Sequence, residues 1–217
     1  MRYKALVFAA GKSARFQGIK QLARVNDATL VESSFWRVAN SDIEDVLLIL
    51  GHHKTQILST IDIDNHAVGH VEQAHLGFGV SISEAVTKYV LDELSNKSVS
   101  HVLIALADQV ALTTAHFNQL KSASLAHPNK IICCQTSAGI CSPVIFPHAY
   151  FSSLCQLNGD KGAKSIVMKN MENVITINID EALIDIDTQE DFLRWQQAKL
   201  TSNTLNNKRP IGATIND

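Results

Sequence analysis

Lys12, Arg15 and Lys20 lie close together in the run VFAAGKSARFQGIKQL, from Val7 to Leu22, which contains no acidic residue. Three cations beside a flexible glycine, Gly11, suit a polyphosphate. Backbone N–H groups can approach the oxygens while Lys and Arg neutralise charge. Gly11, Lys12 and Ser13 also spell the end of a P-loop, but that motif needs a glycine five residues before its Gly-Lys pair. Leu6 stands there, inside an apolar strand. The remaining alternative is an ordinary strand-to-helix turn with solvated lysines.

Three further constellations could share a ligand with this loop. In HLGFGVSI, His75 to Ile82, Gly77 and Gly79 precede a helix, with Ser81 just inside it. A dinucleotide fingerprint would place its third glycine where Ile82 stands. Either the glycines only permit a tight turn, or the turn and Ser81 contact a base or ribose. Asp108 follows the apolar run His101 to Ala107. A carboxylate just beyond a buried strand can bind Mg²⁺ with substrate phosphates, or can serve as a loop or capping residue. Asp185 and Asp187 alternate with Ile186 and so point to one side of an extended segment, where they could complete a metal site. Capping of the last helix by Asp187 explains that residue equally well. Finally, the charged turn Gly159-Asp160-Lys161-Gly162 precedes a helix and could wall a second anionic substrate.

These residues need a scaffold that brings distant loops together. Short apolar runs at 5–9, 45–50, 67–71, 101–107 and 130–134 read as strands. Amphipathic stretches at 29–39, 54–61, 79–94 and 113–125 read as helices. Such alternation defines an α/β fold with a largely parallel sheet, whose ligands collect beyond the carboxyl ends of the strands. The second half is less regular. It contains a Pro143–Pro147 segment, helices near 149–157 and from Gly162 to about Asn170, strands at 174–179 and 183–186, and a helix from Gln189 capped by Thr188 or Asp187. Length and pattern favour one domain over residues 1–200, with 201–217 a flexible tail.

With 46% hydrophobic and 18% charged residues and a formal net charge of −2, the chain has no global bias toward nucleic acid, so any anion site is local. Cys133, Cys134, Cys141 and Cys155 form no CxxC pair and read as core cysteines of a reducing cytoplasm. The N-terminal apolar run is too short for a signal peptide, and none approaches the roughly 20 residues of a membrane span. A soluble, cytoplasmic protein without a membrane partner is the expectation. No GxSxG nucleophile elbow occurs, and the nine histidines are scattered.

Taken in order, these motifs resemble the MobA-like nucleotidyltransferase family, and within it the molybdenum cofactor cytidylyltransferase group. The family's opening pattern LAAGxSxRxGxxK is similar to the stretch from Phe8 through Arg15 to Lys20. The resemblance continues at Gly77–Ile82, at Asp108 in a DQP-type motif, at SPVIFP with NGDKGAKSI, and at DIDTQEDF, spanning roughly residues 3–198.

The resemblance implies a single Rossmann-like nucleotidyltransferase domain, three layers α/β/α around a mostly parallel mixed sheet. It implies transfer of CMP from CTP to the phosphate of molybdenum-loaded molybdopterin, with release of pyrophosphate and onward hand-over to a molybdoenzyme or its chaperone. Ala9, Ala10, Gly11, Lys12, Ser13, Gly77, Gly79 and Ser81 would then bind nucleotide. Lys20, Arg15 and Asp108 would be catalytic, Asp108 and Asp187 would hold Mg²⁺, and Asp160 and Lys161 would face the acceptor. Another phosphorylated acceptor, such as a sugar phosphate, and a non-catalytic carrier of the molybdenum cofactor are the alternatives. The chain departs from the pattern twice. Gln17 replaces a glycine, which requires a local backbone that differs or tolerates positive φ, and Val110 replaces a proline, which would loosen the presentation of Asp108.

Overall fold

The structure, a computed structural model, describes residues 1–25, 27–91 and 98–206, with side chains as far as Lys199. The first strand, β1 (Tyr3–Ala9), lies inside the sheet and is buried throughout except at Lys4. Its alternation sorts the two cores: Ala5, Val7 and Ala9 face one side, Leu6 and Phe8 the other. A small ribbon, β2 (Arg24–Val25) with β3 (Ala28–Thr29), leads into α1 (Leu30–Ala39). Thr29 and Glu32 form a capping box there, which satisfies two amides at the start of α1.

The chain then builds β4 (Asp45–Leu50), α2 (Lys54–Leu58), β5 (Val68–His70), α3 (Phe78–Tyr89), β6 (His101–Leu106) and α4 (Thr114–Ala126). β1 pairs in parallel with β4 on one side and β6 on the other. The crossover direction therefore reverses at β1, and a crevice opens at the carboxyl ends of β1, β4 and β6. β7 (Ile131–Thr136) and β8 (Gly139–Pro147) follow, then α5 (Phe151–Cys155), α6 (Lys164–Lys169), β9 (Val174–Asn178) and α7 (Gln189–Asn206). The sheet order is β5-β4-β1-β6-β8-β7-β9, with β8 antiparallel to both its neighbours. Pro143 is tolerated in this interior strand because it falls where the β7–β8 register shifts, between Cys141 and Val144.

α1 and α4 cover one face with Val31, Phe35, Phe117 and Leu120. α3, α5 and α6 cover the other with Ile82, Val86, Phe151 and Val167. The expected three-layer α/β/α domain with a mostly parallel mixed sheet is thus present. All four cysteines are free, and burial pushes the Cys133 thiol up to about 12 and that of Cys134 higher still, so neither presents a reactive thiolate. No helix among the described residues is long and apolar enough to cross a membrane.

Several boundaries differ from the sequence reading. The segment 183–186 is not a strand of the sheet. A 3₁₀ turn occupies Asp180–Leu183, and Asp185 then makes a single antiparallel bridge to Gln109. Only Ile186 is buried there, whereas Leu183 and Ile184 are 40% and 44% exposed, so the apolar pattern lacked a core to face. α2 ends at Leu58, because the Ser59 and Thr60 hydroxyls donate back to the Gln56 carbonyl. The start of the 149–157 helix is a 3₁₀ turn, with α5 limited to Phe151–Cys155. The end expected for the 79–94 helix lies outside the described residues. α7 continues to Asn206, into the expected tail, and residues 207–217 are likewise not described.

Candidate active site

The opening loop leaves β1 and is held from within by Gln21, which is buried. Its Nε2 donates to the Ala9 and Gly11 carbonyls at 3.2 and 3.1 Å, and its Oε1 accepts from the Ser13 hydroxyl at 2.8 Å. Ser13 Oγ also accepts the Lys20 N–H. Ser13, expected to bind nucleotide, thus has its hydroxyl engaged inside the loop. Ser13 and Gln17 have φ of 55° and 40°, and Gly18 has 137°. The chain thus does adopt positive φ at Gln17, at a cost that a glycine would avoid. A Cβ at Gly11 would meet nothing within 4 Å, so the protein itself leaves that space open.

These turns bring Lys20 to the carboxyl end of β6. Its Nζ lies 2.8 Å from Asp108 Oδ2, 2.9 Å from the Ile186 carbonyl and 3.2 Å from Asp187 Oδ1. Burial alone would depress the Lys20 pKa, but the Asp108 and Asp187 carboxylates override it and hold it above the usual lysine value. Arg15 donates to the other oxygen of Asp187 at 2.7 Å while remaining mostly exposed. Asp187 is free for these contacts because Thr188 caps α7, in a reciprocal arrangement with Asp191. Burial, followed by repulsion from Asp108 and Asp187, raises the pKa of Asp185. Asp108 does not cap α4 either, since that helix begins beyond Thr113.

Asp108 Oδ1 is buried and has no hydrogen-bond partner among the described residues. An acceptor-only oxygen in that position invites a cation, and two carboxylates plus substrate phosphates are a usual Mg²⁺ donor set. No group of three or more His, Cys, Asp or Glu is arranged to hold a metal among the described residues, so a metal here would need ligands from substrate.

A cavity of about 450 Å³ connects these parts. Ala9, Ala10, Gly11, Lys12, Lys20 and Asp108 line it. Gly77, Ser81 and Asp160 line it as well. Arg15, Asp187, Gly79 and Lys161 are not part of the lining. Gly79 instead packs against residues 158–161: its N–H donates to the Gly159 carbonyl at 2.8 Å, and an added Cβ would lie 2.5 Å from the Lys161 carbonyl oxygen. Gly77 has φ of 121°, and a Cβ there would overlap Gly159 at 2.4 Å. The tight turn and the close approach of a second loop thus both require these glycines. Sequence reasoning missed His75, Phe78 and Leu106, which also line the cavity. In the sequence Phe78 is only the residue between the two glycines of the turn, and its position follows from the edge-on contact with Phe8.

Val110 turns out to secure Asp108. It is 1% exposed in a third core with Phe16, Ile186, Phe192 and Trp195, which ties the opening loop to α7. Its N–H donates to the Ile184 carbonyl at 3.2 Å, and Ile186 N–H donates to the Asp108 carbonyl at 3.1 Å. A proline would lose the first of these bonds. The expected loosening is therefore replaced by a two-bond bridge between the segments carrying Asp108 and Asp187.

An open α/β sheet with a cationic loop, a lysine held between carboxylates and a crevice at the strand ends is the arrangement expected for a nucleotidyltransferase. Similar folds occur in a Mycobacterium tuberculosis Rv0371c homolog from Mycobacterium sp. strain JC1 (24% identity, TM-score 0.79, covering 93% of this chain and 99% of that one). They also occur in Rv0371c of Mycobacterium tuberculosis in complex with manganese (21%, 0.74, covering 91% and 98%). A third is CMP:2-keto-3-deoxy-manno-octonic acid synthetase complexed with CTP (9%, 0.73, covering 93% and 100%). A search of curated protein sequences gives no match. The model of the MobA-like NTP transferase domain matches residues 5–174, and the chain belongs to that family.

Proposed function

We propose that this nucleotidyltransferase moves CMP from CTP to the phosphate of molybdenum-loaded molybdopterin and releases pyrophosphate. The observation that carries the reading is Lys20, fixed between Asp108 and Asp187 at the edge of the cavity lined by the opening loop. In this reading the triphosphate lies along Gly11 and Lys12, with Arg15 reaching it from outside the lining. Lys20 Nζ meets the α-phosphate, where an acceptor phosphate oxygen attacks in line as pyrophosphate departs. A fixed ammonium at that point stabilises the charge that develops, and orientation of the two substrates supplies much of the remaining effect. Gly77 and Ser81 border the nucleoside, and Asp160, with Lys161 behind it, faces the acceptor.

Asp108 and Asp187 are the residues that would hold Mg²⁺, and the unpartnered Asp108 Oδ1 suits that role. A bound Mg²⁺ would neutralise phosphate charge and orient the triphosphate. The Rv0371c complex with manganese supports a divalent ion in this fold, and the synthetase complexed with CTP supports a cytidine nucleotide.

The test is to incubate the protein with Mg²⁺, each NTP in turn, and either molybdenum-loaded molybdopterin or a sugar phosphate, and to measure pyrophosphate and the nucleotide product. Release with CTP is the expected result. Release only with a sugar phosphate would move the acceptor, and binding without release would replace the transferase by a carrier.

A further inference from the structure

The carbonyls of the opening loop are held one after another by side chains from elsewhere. Gln21 takes those of Ala9 and Gly11. Those of Ala10 and Lys12 go to two consecutive histidines beyond β4: His52 Nδ1 lies 3.1 Å from the Ala10 carbonyl oxygen, and His53 Nε2 lies 3.1 Å from that of Lys12. A carbonyl only accepts, so each ring nitrogen must carry hydrogen and donate. The His52 N–H also donates to the Ala10 carbonyl, at 3.3 Å.

Two further features make this junction a built one. Gly51 packs so closely that a Cβ would lie 2.9 Å from Ala10 Cβ and 3.0 Å from its carbonyl oxygen. His53 adopts the left-handed conformation (φ 60°, ψ 16°), a cost for a non-glycine residue that its contact with Lys12 offsets. The N–H groups of Gly11, Lys12 and Ser13 donate to no acceptor among the described residues. Carbonyls drawn away by Gln21 and the histidines leave these amides available to an anion.

We infer that His52 and His53 are positioning residues, which act through the Ala10 and Lys12 carbonyls to hold the opening loop in the form that receives a nucleoside triphosphate. The inference rests on the proposed nucleotidyltransferase reading. The histidines touch no substrate in it; they fix the backbone that does.

The test compares shape with hydrogen bonding. Asn presents an amide near the position of imidazole Nδ1, and Gln presents one near Nε2, so His52→Asn and His53→Gln retain the donors. His52→Leu and His53→Leu remove them. Gln and Leu meet the same left-handed cost at residue 53, which isolates the hydrogen bond. Affinities for CTP, GTP, ATP and UTP are measured by calorimetry with Mg²⁺, and folding is monitored by thermal unfolding.

The expected result is a loss of roughly five- to tenfold in the affinity of the bound NTP for each Leu variant, with most of it restored by Asn at 52 and Gln at 53. Equal affinity in the wild type and the Leu variants overturns the inference and leaves the transferase reading standing. Equal loss in the Leu and amide variants also overturns it, since ring packing would then be the cause. Absence of binding of every NTP to the wild type overturns the transferase reading and this inference together. Should His53→Leu fail to fold, the residue 52 pair decides.

Discussion

Lys20 Nζ and Asp108 Oδ2 are 2.8 Å apart, joining a loop that follows the first strand to one that follows the sixth. The pair is mostly buried, with side-chain exposures of 14% and 25%, so its charges act on each other with little screening. In the proposed reaction this ammonium would stand in place before substrate arrives and would need no reorganisation.

Lys20→Ala is expected to lower kcat by about 10²- to 10³-fold or more, in the range seen for lost charge-stabilising donors. The fold should persist, because the sheet does not depend on this contact. Steady-state kinetics with circular dichroism checks both parts, and retained turnover would remove Lys20 from the reaction.

Replacing Val110 by proline should destabilise the protein by about 1–3 kcal/mol, through loss of the N–H bond to Ile184 and disturbance of a fully buried site. For a chain of this size that is a fall in Tm of about 2–12 °C. Activity should drop with it, since Asp108 and Asp187 are aligned across the same bridge. Differential scanning calorimetry beside the pyrophosphate assay measures the two effects.

Glu32 offers a pH-dependent case. Burial would raise its pKa, but hydrogen bonds from Thr29 and the Asp62 N–H outweigh that and hold it below the usual carboxylate value. A lowered folded-state pKa means that this stabilisation is complete above the unfolded value and is lost as pH falls through the folded one. Glu32→Gln should therefore cost about 1 kcal/mol at pH 7, and the gap to wild type should close in acid. Urea midpoints measured at neutral pH and near pH 3 provide the comparison.

Gly79→Ala should destabilise by about 1–3 kcal/mol, since the new Cβ must displace the Lys161 carbonyl or the helix itself. The same displacement moves Asp160 at the cavity wall. Chemical denaturation and the acceptor's KM should therefore change together.

The sequence made the central sheet readable because β1, β4 and β6 are apolar on both faces and bounded by polar loops. It also exposed Lys20, Asp108 and Asp187 through the motifs that carry them. Which alternative each carboxylate would follow was not readable. Asp187 and Thr188 are equally good caps by type, and only the folded chain shows that Thr188 caps while Asp187 turns to Lys20. Val110 looked like a loss because the value of its N–H lies in a partner, Ile184, distant in sequence. The reading of 183–186 as a strand failed for a related reason: an alternating apolar pattern does not reveal whether a neighbouring strand exists. His52 and His53 carried no signal beyond their type, since their partners are backbone carbonyls.

Gly77 and Gly79 seat the start of α3 against residues 158–161 with no room for a side chain between them. The two segments are therefore not interchangeable modules. A chimera that exchanges the 158–162 loop would import half of a fitted joint, and the exchange must carry the beginning of α3 with it.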